Sequence, residues 1–197
     1  MPRVRADDYD AKYQSILDSA AALFAEMGYP NAKMQDIAKV CGATKSMLYH
    51  YFPTKDDLLL AMLREHLERL IAEIEALGEE GTSKQRFARL VEIYIRKSAQ
   101  SRQRHVSAMN DLKFLPAEMQ APLLKLESKV IALVAELLRE LNPGLEKDVY
   151  KPYTLLLIGM LNWTDLWLRP SGRMSPHELC ERVARLFLRG FLAEKPK

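Results

Sequence analysis

Residues 42–55 read GATKSMLYHYFPTK, and the rings of Tyr49, His50, Tyr51 and Phe52 stand in consecutive positions between Gly42 and Pro53. A helix that only fills a core spaces its large apolar side chains three and four apart. On a wheel of about 100° per residue, Leu48 and Phe52 fall on one side and Ser46 and His50 fall opposite. Lys45 and Tyr49 take one flank and Tyr51 the other. Such a helix buries two side chains and turns a cation, hydroxyls and an imidazole outward. Outward Tyr and His are poor solubilisers. A tyrosine hydroxyl does reach a phosphate, however, and rings and methyls meet the thymine methyl in the major groove of DNA.

The residues just before supply the rest of a helix-turn-helix. Met34 to Cys41 predicts a short helix with Ile37, Ala38 and Cys41 inward. Ala38 is small where two helices cross, and Gly42 stands where the turn needs a positive φ. Thr44 caps the next helix, Lys45 to Phe52, and Pro53 ends it. This arrangement places a second helix in the major groove. Upstream, Tyr13, Ile16, Ala20, Leu23, Phe24 and Met27 form one apolar stripe that Gly28 stops. Downstream, Thr54 and Asp57 form a capping-box pair at the head of a fourth helix, Lys55 to Leu77. That helix would be roughly 35 Å long.

The stretch ILDSAAALFAEMGYPNAKMQDIAKVCGATKSMLYHYFPTKDDLLLAML, residues 16–63, closely resembles the DNA-binding domain of the tetracycline-repressor-like (TetR) family. The resemblance implies a DNA-binding domain over residues 8–54, a connecting helix over 55–78 and a ligand-binding and dimerisation domain over 81–194. It implies a homodimer on double-stranded operator DNA. It also implies that Thr44, Lys45, Ser46, Tyr49, His50, Tyr51 and Lys55 lie at the DNA, with Lys55 at a phosphate. Packing against the first helix is the other reading of Tyr49. The chain departs from the family at Ala32 and Lys33, where Ser or Thr often caps the second helix. The lost cap costs about 1 kcal/mol. Lys33 either meets a phosphate in its place or is solvated.

Composition fits a soluble globular chain of 197 residues, 48% hydrophobic and 28% charged. Two cysteines make no disulfide framework, and the opening MPRVRADDYD lacks the apolar stretch of a secretory leader. The longest apolar run, Leu155 to Leu161, is too short for a bilayer. A cytoplasmic protein that does not enter membranes is the expectation. Arg3 and Arg5 read as a disordered tail rather than a minor-groove arm. No phosphate-cradling glycine motif, metalloprotease helix, paired-cysteine motif or nucleophile elbow is present. His50, His66, His105 and His177 are scattered. His66 reads as solvated, and His105, Asn110 and Asp111 as a polar cluster without a nucleophile. No enzyme, metal or cofactor is expected.

The second half also reads as helices, near 84–100, 116–141, 146–168 and 175–192, so the fold class is all-α. Lys84, Arg86, Arg89, Arg96, Lys97, Arg102, Arg104 and Lys113 are opposed locally only by Glu92 and Asp111. The run is either a solvated face or an anion site. One stripe joins Leu179, Val183, Leu186, Phe187 and Gly190. Another joins Leu155, Leu156, Ile158, Gly159 and Leu166. Together they would build a four-helix dimer interface or close the monomer core.

The stretch GMLNWTDLWLRPSGRMSP, residues 159–176, is similar to a branch of the family that responds to acyl-CoA thioesters. That implies a small hydrophobic effector, with an acyl-CoA as one class; the charge of the Lys84–Lys113 stretch fits it, since Arg96, Lys97, Arg102 and Arg104 could meet CoA phosphates. Tyr94, Arg104, Met109, Phe114, Asn162 and Trp163 are the expected ligand-binding residues, with a core position as the other reading of Trp163. A drug-like or aromatic effector, or control by a protein partner, stands as the alternative.

Overall fold

The structure is a computed structural model that describes residues 3–100, 102–168 and 172–195. The side chains of residues 3–7, 97–100, 108–109 and 165–166 lie outside that description. The described residues form nine α-helices and no strand. They are α1 (Arg3–Met27), α2 (Met34–Val40), α3 (Lys45–Tyr51), α4 (Lys55–Glu75), α5 (Ser83–Gln100), α6 (Arg102–Asn110), α7 (Ala117–Leu141), α8 (Tyr150–Trp167) and α9 (Pro176–Phe191). Short 3-10 turns at Leu112–Phe114 and Lys147–Val149 lead into α7 and α8. No described helix is long and apolar enough to cross a membrane.

Local chemistry sets the boundaries. Thr54 N–H donates to Asp57 Oδ2 at 3.1 Å and Asp57 N–H returns the bond to Thr54 Oγ1 at 3.0 Å, so the predicted capping box at α4 is formed. Ser175 Oγ accepts from Glu178 N–H at 3.1 Å and opens α9. A second box, Thr82 with Gln85, opens α5 one residue ahead of the sequence estimate. The helix α4 stops at Glu75 rather than Leu77. The helix α1 begins at Arg3, where the sequence reading placed a tail. The helix α6 was not anticipated, because RQRHVSAMN carries no apolar stripe.

The chain divides into two compact units. Residues 1–66 with 103–124 make the first, and residues 67–102 with 125–197 make the second. The sequence reading grouped 103–124 with the rest of 81–194. The first unit buries Ile16, Leu17 and Ala20 of α1, Ile37 of α2, Leu48 of α3 and Leu59 and Met62 of α4. The core of the second gathers Ile74, Phe87, Leu90, Val134, Leu138, Leu157, Val183 and Phe191.

Candidate nucleic-acid interface

The turn between α2 and α3 is held by backbone bonds and by one side chain from α1. Cys41 N–H closes α2 on Ile37 O at 3.0 Å, and Ala43 N–H reaches back to Ala38 O at 2.9 Å. Between them Gly42 sits at φ +61°. A Cβ there would meet nothing within 4 Å, so the demand on this position is conformational alone. From α1, the Lys12 ammonium donates to Cys41 O at 2.6 Å, satisfying a carbonyl that the end of α2 leaves open. Thr44 then caps α3, its Oγ1 accepting from Met47 N–H at 3.1 Å. On the inner side Leu48 is fully buried, and Phe52, at the C-cap, lies against the Tyr13 ring at 5.2 Å.

The outer side matches the wheel. Thr44, Lys45, Ser46, Tyr49 and His50 are exposed. The Lys45 ammonium sits 5.8 Å from the centre of the Tyr49 ring, a cation–π pair that orients both. Tyr51 is half-buried and stacks on Tyr9 of α1 at 4.6 Å, with the His50 ring edge-on to it at 6.1 Å. Lys33 is the exposed N-cap of α2 and makes no side-chain cap bond, as its residue type requires. Lys33, Lys39 and Lys45 give the region a positive balance against Asp36. Met47, 40% exposed on the same outer side, was missed by the sequence reading. The wheel places it between Tyr51 and His50.

Lys55 departs from expectation. Its ammonium donates to Tyr29 O at 2.8 Å and Ala32 O at 3.0 Å and lies 4.3 Å from the Tyr29 ring centre. Those donors are spent tying the loop after α1 to the start of α4, not held out for a phosphate. The Tyr29 hydroxyl donates to Asp56, and burial together with that bond raises its pKa well above the usual phenol value.

The expected ligand residues scatter. Tyr94 is buried in the second unit, its hydroxyl without a hydrogen-bond partner among the described residues, and burial raises its pKa. The hydroxyl of Thr154 on α8 is buried and likewise without a partner. Arg104 is a correction. It is buried in the first unit, with Nε donating to Asp18 at 2.9 Å, Nη1 to Glu65 at 3.2 Å and Nη2 to Gln14 at 3.1 Å. A buried guanidinium must recruit carboxylates, and these take the place of a CoA phosphate. Phe114 is exposed and stacked on Tyr29 at 5.7 Å, within the first unit. Trp163 is 65% exposed, so it is not a core residue, and Asn162 beside it is half-buried. The Met109 and Lys97 side chains lie outside the described residues.

Three cations of the basic run meet carboxylates: Arg104 as above, Arg86 with Glu140, and Arg96 with Glu73 at 2.6 Å. His66 is not solvated but buried, its Nε2 3.1 Å from Nδ1 of His105. The anticipated polar cluster is rearranged as well, with Asp111 bonded to Ser107 and Asn110 exposed and donating to Val106 O. No group of three or more His, Cys, Asp or Glu among the described residues is placed to hold a metal ion.

The predicted interface stripes divide. Leu179, Val183 and Phe187 turn into the core of the second unit. Leu155 (48% exposed), Leu156 (62%) and Leu186 (68%) stay outside with Trp163. They line an open apolar groove of about 650 Å³ between α8 and α9. Gly159 lines it too, and a Cβ there would meet nothing within 4 Å, which leaves room for a close helix. Leu166 lies outside the described side chains.

Residues 16–62 match the family model of bacterial regulatory proteins of the tetR family, and residues 80–191 match the tetracyclin repressor-like C-terminal domain. A TetR-family transcriptional regulator from Bordetella parapertussis superposes with a TM-score of 0.85 at 35% identity, over 92% of this chain and 96% of that one. A transcriptional repressor of the helix-turn-helix type from Mycobacterium tuberculosis is 38% identical over 72 residues, 36% of this chain and 38% of its own length. The fatty acid metabolism regulator protein of Bacillus subtilis is 32% identical over 81 residues, 41% and 42% of the two chains. The match thus spans less than half the length of these two curated relatives.

Proposed function

The chain belongs to the TetR family of transcription regulators, and from that premise we propose that it is a ligand-responsive repressor that grips operator DNA as a homodimer in the cytoplasm. The observation that carries this reading is the outer side of α3. Lys45, Ser46, Tyr49 and His50 are exposed there while Leu48 and Phe52 hold the helix down. Residues 8–54 serve as the DNA-binding domain, 55–78 as the connecting helix and 81–194 as the ligand-binding and dimerisation domain. Thr44, Tyr51 and Lys33 add contacts to the DNA backbone.

The apolar groove between α8 and α9 supports the dimer. One seven-residue helix binds DNA weakly, whereas two joined copies place two such helices on half-sites about 34 Å, or a multiple of it, apart. The effector is small and hydrophobic. Tyr94 and Thr154 offer buried hydroxyls within an otherwise apolar core. The name of the Bacillus relative favours an acyl chain. The carboxylates already paired with Arg86, Arg96 and Arg104 favour an effector that needs no phosphate contact from them, such as an aromatic compound. Effector and DNA oppose one another through α4. Their coupling is reciprocal and typically worth about 1–3 kcal/mol.

The test is fluorescence anisotropy of the full chain on DNA from upstream of its own gene, at fixed salt, with acyl-CoA thioesters and aromatic acids added in turn. Release by one thioester supports the acyl-CoA reading. Release by an aromatic acid alone replaces it. Binding that neither class alters points to control by a protein partner, and no binding at all overturns the repressor.

A further inference from the structure

Within the DNA-binding reading, on which this inference rests, we propose that Met47 is a specificity-determining residue that reads the 5-methyl group of a thymine in each half-site. The helix α3 fully buries one side chain, Leu48, and leaves Met47 among its exposed residues. It is 40% exposed in the first turn, where its backbone N–H is held by Thr44 Oγ1 at 3.1 Å. The first turn of a recognition helix is the part that meets base edges. The exposed neighbours Lys45, Ser46, Tyr49 and His50 end in hydrogen-bonding groups suited to phosphates or to base donors and acceptors, and Thr44 is committed to the cap.

Met47 has only an apolar thioether to offer. Unmodified DNA presents one apolar group in the major groove, the C5-methyl of thymine. The pairing follows from the chemistry of the two surfaces. An unbranched, polarisable side chain also adapts to the slant of that methyl better than a β-branched one. Lys45 and Tyr49, held as a cation–π pair on the flank, are left to the backbone.

The experiment selects duplexes from a random library with the full-length chain and with Met47→Ala. Thymine at the selected position is then replaced by deoxyuridine, which deletes only the methyl, and separately by 5-methylcytosine opposite guanine. The wild-type chain should select a thymine in each half-site and lose about three- to fivefold in affinity per methyl removed, the effect of burying one such group. Met47→Ala should lose the same factor on thymine DNA and become indifferent to deoxyuridine, as a coupled pair requires. Met47→Leu should keep the sensitivity. 5-Methylcytosine should retain more affinity than cytosine for wild type only.

An unchanged melting temperature would show that the variants still fold. A Met47→Ala chain that keeps the full thymine preference, or stays as sensitive to deoxyuridine as wild type, overturns the proposal. A wild-type chain that enriches no sequence overturns the DNA-binding reading itself, and that is seen before any methyl is removed.

Discussion

The outer side of α3 and the groove between α8 and α9 are both exposed, yet they are built from opposite materials. Around α3 the outward groups are an ammonium, hydroxyls, an imidazole and one thioether. Around the groove they are Leu155, Leu156, Trp163 and Leu186. A polyanion with a hydrogen-bonding edge is matched by the first surface and rejected by the second. A copy of the same helices is matched by the second, because apolar area leaves water on both partners. A contiguous exposed leucine cluster points to a covering partner more strongly than leucines exposed singly do.

The comparison breaks most sharply at the groove. Leu156→Glu combined with Leu186→Glu should weaken self-association about 100-fold or more, near 3 kcal/mol, with operator affinity falling alongside it. Sedimentation at graded concentrations reads the first effect and anisotropy the second. Unchanged association would remove the groove from the dimer.

Arg104→Met tests the first unit alone. It strips the buried partner from Glu65 and from the more exposed Asp18, and should cost about 2 kcal/mol, or roughly 6 °C in melting temperature, with association intact. A melting temperature that does not move would return Arg104 to the role of ligand contact. Tyr49→Ala should lower operator affinity about tenfold and leave both melting and association as they were. A parallel loss of stability would make Tyr49 a packing residue instead.

The smallest effect concerns Asp111. Burial holds its carboxyl above the ordinary carboxylate value, opposed by the Ser107 hydroxyl and by Lys113. A raised acid carries its charge at a cost above that range and without cost below it. Asp111→Asn keeps an acceptor for Ser107, so it should raise the melting temperature by a degree or two at pH 7. The gain should shrink to nothing as pH falls through the carboxylate range. A gain that persists at low pH would assign the effect to packing.

Much of the first unit was legible because its signals are local. The box of Thr54 and Asp57, the cap at Thr44 and the glycine at the turn each act within one helical turn. The opposition of Leu48 and Phe52 to Ser46 and His50 follows from helical geometry. Charge pairing was not legible. The partners of Arg104 lie 86, 39 and 90 residues away, those of Lys55 lie 26 and 23 away, and His66 meets His105 across 39. The interface stripes were half-legible. Periodicity placed Leu179, Val183, Leu186 and Phe187 on neighbouring positions, but it could not say that Leu186 alone would stay outside.

The sequence by itself determined that this chain is all-helical, that it carries a helix-turn-helix over residues 34–52, and which side of α3 faces outward. Those outcomes depend on caps, dihedral preference and period, which a short window contains. Only the tertiary structure decided which cations are free and which are spent, and which leucines are covered. A side chain keeps its charge or its apolar area available only if no distant helix brings it a partner, and that is fixed by packing.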